Sequence, residues 1–438
     1  MSLARRLASQ STVVFAARIS GAGLIFIVQA LIARLWGAAF LADFLIIIAV
    51  VNLVSVVMPL GYQTVGSYFA AEYRARGDRG QLTAFLVRSY AHVLFAFLAL
   101  IFLGPLALDA LGYGNGTAAR HFAPMALLAL GTAVVYVNSA MLIGVKRPFA
   151  GFFADTLLRP MLVLGGFLAV VGGMVADAAF TQMLSIIGIG YVIVSAVQFV
   201  FVVTSLAGIA NDLPTGPAES RRWWRFALPW VMIAFATDFF FDIDLLLLTH
   251  QLSKEELAIF GVCARIFSLV SFGVAAVYAV TLPDMFESEA KADRTAFNRK
   301  VGEANAVACG VALFMLILAI LGAPLALTLF GEDFVDGAVP LSILCLSLVV
   351  RAATGPASVV LSIHDRPWAS LPAIALGLVS LYCANLVLVP LWGLVGAASA
   401  ALLAISLWSA ALWLTALRLA RVDVSIMQWF RARRALIG

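Results

Sequence analysis

Charge is what this sequence has least of. Asp, Glu, Lys and Arg make up 12% of its 438 residues, about half their share in a soluble domain. No loop exceeds about twenty residues, so the sequence has no sizeable loop bearing clustered acids or a His pair. Cysteine is scarce as well: Cys263, Cys309, Cys345 and Cys383 stand singly in apolar runs, with no CxxC pair. They read as small packing residues. His92, His121, His250 and His364 are equally scattered. These absences exclude a zinc site, a catalytic triad and a nucleophile elbow, so no catalytic residue, metal ligand or cofactor is assigned. Gly112-Tyr113-Gly114-Asn115-Gly116 is glycine-rich but follows no strand, so it reads as a loop and not a phosphate cradle. Asn115-Gly116-Thr117 is a glycosylation sequon in form only, unless the chain enters a eukaryotic secretory compartment.

Apolar residues take the place of charge. They form 63% of the chain, and mean hydropathy is +1.04. Long apolar runs are the sequence form of a membrane-spanning helix, and they recur from end to end. Breaks at charged or Gly/Pro-rich joints give twelve spans, at 10–34, 39–66, 82–108, 121–145, 149–173, 180–206, 225–249, 255–282, 299–328, 337–363, 367–390 and 393–420. The predicted fold class is an all-α integral membrane protein. The first run follows Arg5 and Arg6, but it is too long for a signal peptide and contains Arg18, so it is read as a retained span.

Loop cations give the orientation, because cytoplasmic loops collect Lys and Arg. With the N-terminus inside, 20 loop cations fall on the cytoplasmic side and only Arg34, Arg120 and Lys254 outside. Both termini are then cytoplasmic, and the chain is a multi-pass membrane protein. The net charge of +5 reflects this bias and requires no nucleic acid. The tail ending in Arg431-Ala432-Arg433-Arg434 is expected on anionic headgroups of membrane lipids.

The chain repeats itself at an offset of 219. Pro105-Leu106-Ala107-Leu108 recurs as Pro324-Leu325-Ala326-Leu327, Gly112 as Gly331, and Arg147-Pro148-Phe149-Ala150 as Arg366-Pro367-Trp368-Ala369. Six spans per half make the two repeats parallel. The expected organisation is an N-terminal lobe (1–210), a linker (211–224), a C-terminal lobe (225–420) and a basic tail (421–438). Transporters of this plan bind substrate between the halves and rock them to alternate access.

Ionisable residues within spans mark pathways by default. Arg18, Arg88, Arg159, Arg265 and Arg351 are of this kind, and so are Asp155, Asp238, Asp242 and Asp244. Asp155 and Arg159 are spaced for an intrahelical pair, which serves structure as readily as function. Asp244 is placed near the outer rim of the seventh span, where water can reach it. Asp238 and Asp242 lie deeper on one helix face and are assigned to coupling together with Asp155. Asp238 neighbours the repeat equivalent of Arg18. Five arginines against four aspartates leave a cation for an anionic substrate, the alternative being a water-filled idle cavity. The five arginines are therefore the candidate substrate-binding set.

Several stretches resemble the multidrug/oligosaccharidyl-lipid/polysaccharide (MOP) flippase superfamily, and its polysaccharide branch in particular. They are Leu60-Gly61-Tyr62-Gln63-Thr64 leading to Glu72-Tyr73-Arg74, Leu228-Pro229, Asp244 followed by Gly261 and Ala264-Arg265, Leu282-Pro283, and Leu329-Phe330-Gly331-Glu332-Asp333-Phe334. Each is degenerate, and the resemblance lies in their order over the whole chain. At His364-Asp365-Arg366-Pro367 the family's usual glycine is missing. The resemblance implies a flippase for undecaprenyl-pyrophosphate-linked oligosaccharide, with Arg18 and Arg265 on the pyrophosphate and no enzymatic activity. It makes the lipid-linked oligosaccharide the substrate, and polysaccharide polymerase and export machinery candidate partners. The alternatives are a multidrug and toxin extrusion-type cation antiporter, disfavoured by the arginine excess, and a membrane-embedded glycosyltransferase or polymerase. A peptidoglycan-precursor flippase is disfavoured by the span count.

Overall fold

In lipid the backbone must satisfy its own hydrogen bonds, and this chain does so almost wholly by helix. The computed structural model describes residues 3–173, 176–209, 219–290, 294–364 and 366–431, without the side chains of 3–15, 236, 279, 282–284, 286–290, 294, 362–363 and 367. In chain order the helices are α1 (Leu3–Trp36), α2 (Ala38–Val57), α3 (Tyr62–Arg76), α4 (Arg79–Ala110), α5 (Thr117–Arg120), α6 (Phe122–Gly144) and α7 (Pro148–Phe153). A π-helical turn, Ala154–Leu158, leads into α8 (Arg159–Val170), followed by α9 (Ala176–Ala207), α10 (Ser220–Asp238), α11 (Phe240–Leu248), α12 (Lys254–Ala290) and α13 (Arg294–Leu327). A 3₁₀ turn, Glu332–Gly337, precedes α14 (Ala338–Thr354) and α15 (Ala357–Ile363), and another, Pro367–Ser370, precedes α16 (Leu371–Leu419). No β-strand occurs among the described residues.

Ten helical stretches among the described residues are long and apolar enough to cross a membrane. The last of them holds two of the predicted spans, because Gly393 takes φ 51°, ψ −127° inside α16 and kinks it there. The predicted seventh span is absent from the ten because it is broken into α10 and α11. With these two accounted for, the stretches correspond to the twelve predicted spans.

The chain forms two compact units, Met1–Asp242 and Ile243–Gly438. The division falls inside the seventh span and not in the polar linker. In the first unit α6 is central, packed on α9, α3, α2 and α4; in the second α14 is central, packed on α13, α16 and α12. These two helices are repeat equivalents. The repeat extends to single hydrogen bonds: Arg147 N–H donates to Leu142 O at 2.7 Å, and Arg366 N–H to Leu361 O at 2.8 Å, again 219 residues on. Both arginines are N-caps followed by proline, with φ/ψ of −117°/58° and −122°/46°. At Arg366 the turn after the tenth span therefore keeps the first half's geometry without the glycine; Asp365 lies outside the described residues.

The start of the seventh span is bolted into the first unit. Trp223 is fully buried, its ring 5.3 Å from that of Phe85, which also stacks near Phe69 and Tyr62. Arg222 Nη2 donates to both carboxylate oxygens of Glu72 (2.9 and 2.7 Å), and its Nη1 donates to Glu219 at 2.8 Å. Tyr73 donates to Glu219 at 3.0 Å and accepts from Trp223 Nε1 at 2.7 Å. Hydrogen bonding from Arg222, helped by Tyr73 and opposed by burial, holds the Glu219 carboxyl below its usual range. Burial pushes the Tyr73 phenol up. The Glu72-Tyr73 motif thus has a physical role as the receptor for α10.

Candidate functional site

The site begins with a proline. Pro160 has no N–H, so the carbonyl four residues earlier, Thr156 O, loses its helical donor. The helix widens into the π turn, with Arg159 N–H reaching back to Ala154 O. Such turns add one residue to a helix and re-aim side chains. α1 approaches this turn so closely that a Cβ on Gly21 would sit 1.7 Å from Thr156 O. One helical turn before Gly21, the guanidinium of Arg18 lies over the Phe152 ring at 5.1 Å.

The π turn presents Asp155 and Arg159 to their neighbours. Arg159 Nη1 donates to Asp155 Oδ1 at 3.4 Å, Nη2 donates to Asn52 Oδ1 on α2 at 3.2 Å, and the guanidinium lies over Tyr191 at 5.7 Å. Tyr191, on α9, donates its hydroxyl proton to Asp155 Oδ1 at 3.1 Å. Asn52 Nδ2 donates to Asp242 Oδ2 on α11 at 2.9 Å. Asn52 therefore bridges a cation and an anion, accepting a hydrogen bond from Arg159 and donating one to Asp242. Tyr136 on α6 faces the same three charges. Of the sequence-derived candidates, Arg159, Asp155 and Asp242 converge here.

The remaining candidates are dispersed. Arg88 donates to Ser220 at the start of α10. Asp238 ends α10, exposed, and accepts from Thr237 at 3.1 Å. Arg265 is half-buried on α12, and Arg351 is exposed in the last turn of α14, within electrostatic reach of Tyr278. Arg18 is exposed, and no acid among the described residues pairs with it.

Two expectations from the sequence are corrected. Asp244 is not a solvated rim residue: it is fully buried in the second unit, where Asn385 of α16 donates to its Oδ1 at 2.7 Å. Asp244 Oδ2 and Asn385 Oδ1 face no donor among the described residues. A buried carboxylate that lacks a counter-charge among its described neighbours is costly. The second correction concerns the charge count. Asp43 lies within the second span, buried, and accepts from Thr117 Oγ1 at 2.5 Å. Asp43 brings the in-span aspartates to five, against five arginines, so that tally leaves no surplus; what remains is that no acid among the described residues pairs with Arg18.

Asn52, Tyr136, Tyr191 and Asn385 were missed because they are neutral; their only signal is polarity within apolar runs. Asp43 was missed because it sits close to the start of α2.

The arrangement is an all-helical membrane fold with polar groups buried inside each unit. More narrowly, it is the fold of the MOP-superfamily transporters. No family model matches the sequence, and no curated protein does. Solved structures do. An inward-facing multidrug resistance MATE family transporter of the MOP superfamily aligns with TM-score 0.73 and 15% identity, over 93% of this chain and 98% of that one. The lipid II flippase MurJ, in an inward closed conformation, aligns with TM-score 0.73 and 13% identity, over 96% and 90%. A MOP superfamily transporter from Pyrococcus furiosus, described as having reversed polarity of its binding pocket, aligns with TM-score 0.59 and 14% identity, over 96% and 95%.

Proposed function

We propose that this protein is a flippase that carries an undecaprenyl-pyrophosphate-linked oligosaccharide from the inner to the outer leaflet of a bacterial inner membrane. Its route would be alternating access, with both termini cytoplasmic, in surface polysaccharide biosynthesis. A polysaccharide polymerase and export machinery would receive the product. No bond is made or broken in this activity.

The observation that carries the reading is Arg18. An arginine within a span, resting on an aromatic ring with no acid among the described residues paired to it, is a cation awaiting an anion, and a guanidinium fork suits a diphosphate. Arg265, Arg351, Arg159 and Arg88 are the further candidate contacts. The Asp244–Asn385 pair is the proposed coupling site, with two oxygens open to a proton or a small cation. Asp155, Asp238 and Asp242 complete the coupling set.

A second reading, a cation exporter, draws support from the likeness to a MATE transporter and from the buried acids Asp242 and Asp244. Purified protein in liposomes separates the two. The flippase reading expects translocation of a fluorescent polyprenyl-pyrophosphate oligosaccharide that Arg18→Ala abolishes and Arg18→Lys restores only in part. Export of a cationic dye that survives Arg18→Ala, with no lipid translocation by the parent, would reject the flippase.

A further inference from the structure

The stretch that follows α16 is docked over residues 422–431. Residues 422–425 are buried in the second unit, and a turn of helix follows at 427–431. Chain ends are ordinarily frayed unless something ties them down, and here three helices do. Asp423 accepts from Trp413 Nε1 of α16 at 2.9 Å, from Ser425 N–H at 3.0 Å and Oγ at 2.7 Å, and from Arg431 at 2.8 Å. The backbone of Trp429 lies on α13 where a Cβ on Gly302 would come within 2.9 Å of its nitrogen. The third tie is to the break between α14 and α15.

That break leaves carbonyls to be satisfied. Pro356 has no N–H to give to Ala352 O, and Ala357 N–H turns instead to Gly355 O at 2.9 Å. Ala353 O thereby loses its helical donor, and Ile426 N–H of the C-terminal segment supplies one at 2.8 Å. Gly355 takes φ 83°, and a Cβ there would stand 1.7 Å from Val424 O, so only glycine admits the segment. Val424 O in turn accepts from Nδ2 of the fully buried Asn305. Asn305 Oδ1 accepts from Tyr278 at 3.1 Å, and Tyr278 lies within electrostatic reach of Arg351. Arg351 itself sits two residues before the capped carbonyl, and its own carbonyl receives Gly355 N–H at 3.2 Å.

We infer that the C-terminal segment Val422–Arg431 is the cap of the broken tenth span and a positioning element for Arg351, so that its docking and anion binding at Arg351 are coupled. The backbone joins the segment to Arg351, through Ala353 and the Gly355 turn. The inference rests on the proposed role of Arg351 in holding the diphosphate headgroup. The coupling is also reciprocal: an anion that orders Arg351 tightens the segment, and loss of the segment's hydrogen bond loosens the anion.

The experiment uses full-length protein in detergent with inorganic diphosphate as the probe. Ile426→Pro removes the donor to Ala353 O, and Ile426→Ala controls for the side chain. The expected result is faster amide exchange over residues 351–360 in Ile426→Pro, and diphosphate affinity reduced roughly 2–10-fold, the loss of one neutral hydrogen bond. Ile426→Ala should stay near the parent. If Ile426→Pro yields no folded protein, Asp423→Asn, which weakens the clamp through Arg431, is expected to shift the same two readouts less. Unchanged exchange at 351–360 overturns the cap. Faster exchange with unchanged diphosphate affinity overturns the positioning of Arg351. If the parent does not bind diphosphate at all, the positioning role falls with the flippase reading, while the exchange measurement still decides the cap.

Discussion

Asn385 donates an amide hydrogen bond to Asp244 across 2.7 Å, yet its own carbonyl oxygen and Asp244 Oδ2 meet no donor among the described residues. One hydrogen bond therefore orients two open oxygens within a fully buried spot. The neighbouring acid on the same helix, Asp242, is held differently: its partner Asn52 is itself bonded to Arg159.

This contrast gives the first prediction. Asp244→Asn removes the charge and keeps the shape, so transport should lose its dependence on the driving ion while protein abundance stays near the parent level. If the ion works through this site, the loss should be about 5–150-fold, the usual span of a coupling free energy. Counterflow, which needs no driving ion, should survive. Ion-dependent uptake by Asp244→Asn equal to the parent's would remove the residue from coupling.

Asn52 offers a test by exchange. Asn52→Asp places a second anion against Asp242, and the double variant Asn52→Asp, Asp242→Asn restores one donor and one acid beside Arg159. The single change should cut transport per molecule, and the double should recover a good part of it. Equal loss in both would show that the bridge is not what matters at Asn52.

Gly21 controls where Arg18 stands. Gly21→Ala forces a methyl group into the Thr156 carbonyl, and overpacking of this kind costs about 1–3 kcal/mol. A lower thermal midpoint in detergent is expected, together with reduced export even after correction for protein amount. A parent-like midpoint would mean that α1 shifts freely, and that Arg18 is not fixed by this contact.

The latch at the start of the seventh span carries a pH signature. Glu219 is held below the usual carboxylate range in the folded protein, chiefly by Arg222. A depressed folded-state value stabilises the fold above the ordinary carboxylate range, and that stabilisation is lost as pH falls through the folded value. Between neutral pH and about pH 3, the parent's thermal midpoint should therefore fall further than that of Glu219→Gln. Parallel declines would indicate that the latch contributes nothing in solution. Both partners are partly exposed, so the difference should be small.

Topology is testable at loop positions. Labels at Gly77, Thr215 and Asp293 should be protected from external reagent in intact cells, and labels at Asn115 and Glu332 should react. Only this sense places 20 of 23 loop cations inside.

Most of the fold was legible because lipid imposes a simple pattern, long apolar runs broken by polar joints. The repeat was legible too, down to the Arg147 and Arg366 turns, since proline and the residue before it restrict the backbone locally. The site was only partly so. Charge within a span flagged Asp155, Arg159 and Asp242, which do meet. It could not reveal that Asn52 joins two of them, because a neutral amide gives no charge signal. It also misplaced Asp244, since depth along a sequence does not say which face of a helix is covered. The burial of residues 422–425 was hidden by the arginines beyond them, which drew attention to headgroups; Arg433 and Arg434 lie outside the described residues.

The docking of α10 onto the first unit has a practical corollary for dissecting the molecule. A gene cut in the linker near Thr215 would yield two polypeptides, and the second would begin with Trp223, Arg222 and their helix exposed. Those residues belong to the first unit, where Tyr73, Phe85 and Glu72 receive them. Co-expressed fragments should therefore assemble through that helix as a donated element. A fragment ending before it would present an empty, aromatic-lined socket and should be the less stable of the pair.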